Sequence, residues 1–320
     1  MIYPCLAIFF MVVNLSTADS FYVNNNVYAD TNIHAWTTAT PESQGLVTAK
    51  LTACVSSLKK DRNFRALLIA RRGVLIYEYY NKAKASEARN IHSASKSILS
   101  MAVGGRLSLD ATVGQVLGGK FSVPSTKRPI TLKHLLMMRS GIAWSEDSTE
   151  YRLRGNYIQS ILNLGQAATP GTRFNYSTGD AMLLNAMLTE QGGSLEYVTA
   201  PLGITIDAWG KDAQGYYSGG CNFFITPREM LRFGQFALEQ RKANDPWTIA
   251  ATTNKSGYGY MWWTDIGTGN FRAWGWGKNF IYVFPATELV VVTAYDTARS
   301  VNDGDNYPTI QRYVLGAIQK

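Results

Sequence analysis

Four serines surround one lysine in HSASKSILS, residues 92–100, and this is where covalent chemistry is most readable in the sequence. Lys96 stands three residues after Ser93 and four before Ser100. Both spacings bring side chains together on one helix face, so spacing alone leaves two candidate nucleophiles. The Ser-x-x-Lys pattern is not specific by itself, because Ser56 with Lys59 and Ser57 with Lys60 share it in SSLKK, where it reads as an exposed polar helix face. The setting favours Ser93, which opens a helix that continues inward through Ser97, Ile98, Leu99 and Met101. Amides at a helix N-terminus favour negative charge on an attacking oxygen and on the intermediate it forms. Ser100, inside the helix, gains none of this. Lys96 would then be the base. A free lysine, with a pKa of about 10.4, is protonated at neutral pH, and burial plus the positive helix end are expected to bring that value down.

A second segment, PGTRFNYSTGDAMLLNAML, places Tyr176 after a Pro-Gly turn and just before a helix, where a phenol beside a lysine can relay a proton. A third, FRAWGWGKNFIYVFP, reads as a strand whose Gly275 and Gly277 allow close approach of the backbone to a ligand. One strand amide converging with the Ser93 amide would complete an oxyanion hole. Trp262, Trp263, Trp274 and Trp276 crowd the same region and suit an apolar acyl or amide substrate, although Trp262 and Trp263 read equally as filling between sheet and helices. His92 adjoins Ser93, but helix neighbours point apart, so it reads as packing. Asn175-Tyr176-Ser177 is a formal glycosylation sequon whose glycan would block Tyr176. No Gly-x-Ser-x-Gly elbow, Cys-x-x-Cys or His-Glu-x-x-His occurs, and His34, His92 and His134 are far apart, so neither an α/β-hydrolase triad nor a metal site is expected.

The elements that must position these residues follow from the apolar pattern. TPESQGLVTAKLTACVSSLKKD reads as a helix started by Pro41 to Ser43, and RALLIARRGVLIYEYY as a hairpin with Gly73 in its turn. From about 97 to 250 the periodicity is mainly helical, as in TLKHLLMM, YIQSILNL and DAMLLNAMLTEQ. Strands return in NFIYVFP and ELVVVTAYD, joined by PAT, and YPTIQRYVLGAIQK closes the chain as a helix. The expected fold class is α/β (α+β): an antiparallel sheet built from the N- and C-terminal segments, flanked by helices, with a mainly helical region inserted. In domain terms this is a single unit over 21–320, with 97–250 mainly the helical subdomain and 40–96 plus 251–320 the sheet-bearing one.

Hydrophobic residues make up 46% of the 320, ample for a core, and the formal charge is +8. The basic residues are scattered singly or in pairs, so the charge reads as a solvated surface and no nucleic-acid partner is expected. MIYPCLAIFFMVVNLSTADS holds an apolar run too short to span a bilayer, then small residues with Ala18 at a candidate cleavage point. It reads as a signal peptide over 1–20 and a secreted or periplasmic protein without a stable membrane span. The competing reading, a buried N-terminal element, draws on the absence of Lys or Arg before the run. Cys5 would leave with the signal, and Cys54 and Cys221 permit a disulfide or two thiols.

In order along the chain, SASKS, ITLKHLLMMRSGIAW, YST, PLGIT, YYSGGCNFFITPREMLRFGQ, YGYMWW and GWGKNFIYVFP resemble the serine hydrolases related to class C β-lactamases and penicillin-binding proteins. That family includes esterases and 6-aminohexanoate-dimer-hydrolase-like amide hydrolases that do not attack β-lactams, and the resemblance runs from about Pro41 to the C-terminus. It implies a β-lactamase/transpeptidase-like fold and an acyl-enzyme mechanism without cofactor. Carried over, Ser93 is the nucleophile, Lys96 its base, Tyr176 the proton relay, and the Ser93 and Trp276 amides the oxyanion hole; Trp274, Gly275 and Thr178 contact substrate. The implied partner is a small-molecule ester or amide. Three departures stand out. Ala273, Trp274 and Gly275 replace the Lys-Thr-Gly of true β-lactamases, leaving Arg272 and Lys278 as the cations available for a substrate carboxylate. Thr178 replaces an asparagine. The helix carrying Ser93 meets Gly104 and Gly105 after about two turns. The alternatives are therefore a β-lactamase or D-alanyl-D-alanine peptidase, or an inactive binding or scaffold homologue.

Overall fold

Three long apolar runs, each too apolar to have a wet face, form the middle of the sheet in the computed structural model. It describes residues 36–146, 149, 153, 155–297 and 303–319, so the expected signal over 1–20, with Cys5 and Ala18, and also His34 lie outside the described residues. In chain order, α1 (Thr48–Leu58) leads into β1 (Phe64–Arg71), β2 (Val74–Tyr80) and the short β3 (Arg89–Asn90), followed by α2 (Ser95–Val103). The helical region continues through α3 (Val113–Leu117), α4 (Leu132–Leu136), α5 (Tyr157–Leu162), α6 (Thr178–Glu190) and α7 (Glu196–Thr199). It holds β4 (Ala208–Trp209) and β5 (Phe223–Ile225) before α8 (Pro227–Lys242) and α9 (Pro246–Thr252). The C-terminal part supplies β6 (Tyr258–Gly259), β7 (Trp262–Thr264), β8 (Phe271–Gly275), β9 (Asn279–Phe284), β10 (Leu289–Tyr295) and α10 (Tyr307–Tyr313).

The seven-stranded antiparallel sheet runs β2-β1-β10-β9-β8-β7-β6, joining both terminal segments as the sequence leads one to expect. Successive side chains of a strand point to opposite faces, and here both faces are covered. Ala66, Leu68, Ala70, Ile281, Val283, Val290 and Val292 enter the core shared with α8 and the helical region. Leu67, Ile69, Phe280, Tyr282, Phe284, Leu289 and Val291 enter the opposite core with α1 and α10. Helix α8 begins with a capping box, Thr226 and Glu229 bonding each other's backbone N–H, and Gly234 lets it approach the sheet: a Cβ there would lie 2.5 Å from Val290. A small sheet, β3-β5-β4, bridges the two regions.

Gly73 and Arg72 both take positive φ in the β1–β2 turn, the conformation a tight two-residue hairpin requires. The helix expected from Pro41 instead starts at Thr48, because Gly45 turns left-handed (φ +72°) after a single 3-10 turn and Leu46 pairs with Ile318. FRAWGWGKNFIYVFP is a hairpin rather than one strand: Gly275 pairs with Asn279, and Gly277 and Lys278 (φ +74° and +70°) turn the chain. The terminal helix stops at Tyr313, leaving a 3-10 turn over Leu315–Ala317.

Candidate active site

β3 ends at Asn90, and the chain must turn sharply to aim Ser93 into the space between sheet and helices. Asn90 Oδ1 accepts the His92 N–H at 2.9 Å, and His92 itself sits at φ +49°, a region that costs a non-glycine residue roughly 1 kcal/mol or more. Ser93 thus lies in a 3-10 turn, His92–Ala94, that runs directly into α2. The four serines then separate by function. Ser95 Oγ donates to His92 O at 2.8 Å, and Ser97 Oγ donates to Met261 O at 2.8 Å, tying α2 to the sheet. Ser100 Oγ is buried without a hydrogen-bond partner among the described residues. Ser93 Oγ alone of the four receives Lys96 Nζ, at 2.8 Å.

Lys96 is buried and donates three hydrogen bonds, to Ser93 Oγ, to Thr178 Oγ1 at 3.0 Å and to Gly220 O at 3.1 Å. Its expected fall in pKa is not found. Burial does disfavour the ammonium, but Tyr176, Glu146 and Cys221 beside it outweigh burial and hold the pKa above the ordinary lysine value. Glycine at 220 leaves room for the end of Lys96, since a Cβ there would lie 2.6 Å from Nζ and displace it. Tyr176 lies with its ring centroid 5.0 Å from the same nitrogen, stacked on Trp263 at 5.7 Å. Tyr176, distant in sequence, therefore meets the Ser93–Lys96 pair. Ser56 and Lys59 do not: Ser56 Oγ donates to Thr52 O along α1, and Lys59 lies over Tyr79.

A cavity of about 730 Å³ opens on Ser93. Trp263, Trp274 and Trp276 line it, whereas Trp262 is fully buried between Phe233 and Phe271 and belongs to the core. Gly275 presses the end of β8 against the nucleophile's turn, where a Cβ would stand 1.9 Å from Ile91 O. The adjoining Trp276 packs edge-on against His92 at 5.3 Å. His92 also meets Thr297 Oγ1 through Nε2 at 2.8 Å, and burial followed by the nearby Lys96 charge pushes its pKa down to about 4, so it is neutral at physiological pH. Neither cation proposed for a substrate carboxylate faces the cavity. Arg272 pairs with Asp305 at 3.3 Å and Lys278 with Asp61 at 2.9 Å, while Ala273 is buried in the core. An acid, Asp303, lines that end instead, accepting the Gly277 N–H at 2.7 Å, with its pKa raised by burial.

The early end of α2 leaves no gap. The indole of Trp247 covers Gly104, 2.8 Å from where a Cβ would stand, and every residue from Ser95 to Val103 is buried. Thr178 lines the cavity, yet its hydroxyl is held by Lys96 and Glu146. Asn175, of the sequon, donates through Nδ2 to Trp144 O at 3.0 Å. Cys54 and Cys221 are not joined: one lies in the core under α1, the other at the cavity. Among the described residues no group of three His, Cys, Asp or Glu could hold a metal ion, and no helix is long and apolar enough to cross a membrane. Glu146, Gly220 and Asp303 are members of the site that sequence reasoning missed. The paired glycines of YYSGGCNFF gave a hint of close approach at Gly220; nothing local in AWSED marks Glu146.

A family model described as Beta-lactamase matches residues 52–314. No curated protein sequence matches the chain. Among solved structures the chain is similar to a Bacillus anthracis protein provisionally named a 6-aminohexanoate-dimer hydrolase (TM-score 0.69, 18% identity, 93% of this chain and 89% of that one). It is similar also to EstCE1, a hydrolase with promiscuous acyltransferase activity (TM-score 0.67, 19% identity, 86% and 100%). A class C beta lactamase aligns with TM-score 0.63 at 15% identity over 86% and 99%. At these identities the likeness is one of fold.

Proposed function

The chain belongs to the Beta-lactamase family, and from that premise we propose that it is a serine hydrolase forming an acyl-enzyme on an ester or amide substrate. The observation that carries this reading is the 2.8 Å contact between Lys96 Nζ and Ser93 Oγ at the wall of a substrate-sized cavity. Lys96 rests as the ammonium, so the reaction runs through the small free-amine fraction, in which Nζ takes the seryl proton while Ser93 Oγ bonds to the carbonyl carbon. The amides of Ser93 and Trp276 receive the negative charge that develops on the carbonyl oxygen. Tyr176 relays the proton to the leaving oxygen or nitrogen as its bond to the acyl carbon breaks. Water then attacks the acyl-enzyme, its proton passes to the Lys96–Tyr176 pair, and Ser93 Oγ regains a proton as the acid departs.

The charge at the β8–β9 end of the cavity favours the ester or amide reading over a β-lactamase or peptidase, although Lys211 lines another part of the wall. Penicillins and acyl-D-alanine peptides carry a carboxylate, and the end of the cavity where a cation would meet it holds Asp303, with Arg272 and Lys278 paired elsewhere. Like charge at that position costs affinity. An inactive homologue is disfavoured by the intact Ser93–Lys96 contact and by Trp247 closing the space behind α2.

Hydrolysis of a neutral p-nitrophenyl ester tests the reading, with a fluorophosphonate probe to locate the nucleophile. We expect labelling at Ser93 and a loss of about three orders of magnitude or more in kcat in Ser93→Ala. Equal rates for the two proteins would remove Ser93 from the mechanism. Labelling of Ser93 by a fluorescent penicillin as efficient as by the neutral probe would move the assignment to the β-lactam-recognising branch.

A further inference from the structure

The hydrogen bonds around Lys96 have a direction, and one residue outside the Ser93–Lys96–Tyr176 group fixes it. A carboxylate only accepts hydrogen bonds. Glu146 Oε1 accepts Trp144 Nε1–H at 2.6 Å and the Thr178 N–H, and Oε2 accepts the Thr178 hydroxyl proton at 2.8 Å. With that proton committed, Thr178 Oγ1 can offer Lys96 Nζ only a lone pair, at 3.0 Å. The Gly220 carbonyl, at 3.1 Å, also can only accept. The ammonium of Lys96 fills all three of its partners. When it gives up one proton, the two pure acceptors retain two N–H bonds, and the amine's lone pair falls on the remaining side, toward Ser93 Oγ and the Tyr176 hydroxyl, the neighbours with a proton to give.

We propose that Glu146 is a positioning residue that, through Thr178, aims the lone pair of Lys96 at the nucleophile; this rests on the serine-hydrolase reading above. Without the carboxylate, the Thr178 hydroxyl is free to rotate and donate into that lone pair, leaving the amine unable to accept from Ser93. The titratable groups around Nζ are His92 in the nucleophile's own turn, Tyr176 ahead of α6, Cys221 ahead of β5 and Glu146 itself after α4. His92 is neutral at working pH, and after Tyr176, which belongs to the reacting group, Glu146 is the next neighbour that stabilises the ammonium, so its removal relieves part of that stabilisation.

The test is the pH profile of p-nitrophenyl ester hydrolysis for the wild type, Glu146→Gln, Thr178→Val and Thr178→Ser. In Glu146→Gln the Trp144 and Thr178 N–H donors hold the amide oxygen at the old Oε1 position, so the bond to the first amide of α6 survives while the amide nitrogen, a donor, faces Thr178 Oγ1. We expect kcat on the alkaline plateau of the profile to fall by about 10- to 100-fold with little change in KM, and the acid limb to move to lower pH. Thr178→Val should fall similarly, and Thr178→Ser should recover most of the lost rate. A Glu146→Gln enzyme with wild-type kcat and an unmoved acid limb overturns the proposal, as does a Thr178→Ser enzyme as slow as Thr178→Val. Should Glu146→Gln fail to fold by circular dichroism, the two Thr178 variants decide. A wild type that neither hydrolyses esters nor takes a fluorophosphonate at Ser93 would overturn the serine-hydrolase reading instead.

Discussion

At position 220 any side chain would occupy the space now taken by the end of Lys96, with a Cβ 2.6 Å from Nζ and 2.7 Å from Cε. Gly220→Ala is expected to push the amine off Ser93 by a few tenths of an ångström or more and to lower kcat by about 10- to 100-fold. Because the atoms displaced are the end of a flexible side chain, the melting temperature should move little; a large fall in Tm with unchanged kcat would contradict this. Residue identity and spacing in HSASKS were enough to bring Ser93 and Lys96 within reach of one another, since a helix puts i and i+3 on one face. They were not enough to set the charge of Lys96. Burial was legible from the apolar residues around it, but the groups that outweigh burial come from three other segments, at Tyr176, Glu146 and Cys221.

Among elements, the decisive contact is that of β8 with the turn carrying Ser93. The strand can run this close because residue 275 is glycine, and Gly275→Ala would force a Cβ to within 1.9 Å of Ile91 O, a backbone atom with little freedom to retreat. Overpacking of this kind costs roughly 1–3 kcal/mol. We expect a lower Tm by differential scanning calorimetry together with a loss of ester hydrolysis, since the strand and the nucleophile's turn would separate; retention of both would show that the contact is dispensable. The hairpins β1–β2 and β9–β10 were legible because their turns and apolar runs are local signals. The β8–β9 hairpin was read as one strand because the residues turning it, Trp276 to Lys278, contain no Asn-Gly or Asp-Gly pair and include a lysine in the left-handed region. Likewise, the end of α2 at Gly104 was visible in the sequence, whereas the Trp247 indole that covers it comes from α9, over a hundred residues later.

For the molecule as a whole, Asp180 links stability to pH. It lies fully buried in the first turn of α6, and burial raises its pKa to about 7 despite hydrogen bonds from Ser140 and Ser177, with Glu146 adding to the rise. A carboxyl whose folded pKa exceeds its unfolded value binds more protons when folded, so its contribution is complete below about pH 4 and is lost as pH rises through about 7. Asp180→Asn should therefore flatten this part of the stability profile between about pH 4 and pH 7, measured by urea unfolding at each pH, and the same slope in both proteins would refute the assignment. By itself the sequence determined what depends on near neighbours: which runs are strands buried on both faces, which are helices, where the chain turns, and which serine shares a helix face with a lysine. Its ordered segments also implied Tyr176 and Trp276. Only the tertiary structure decided that Arg272 and Lys278 turn away from the cavity, that an acid stands where a carboxylate-binding group was sought, and that Glu146 accepts the Thr178 hydroxyl proton. Those outcomes depend on side chains from separate segments competing for the same few partners, and such competition is resolved by packing in three dimensions, leaving no trace in local spacing or composition.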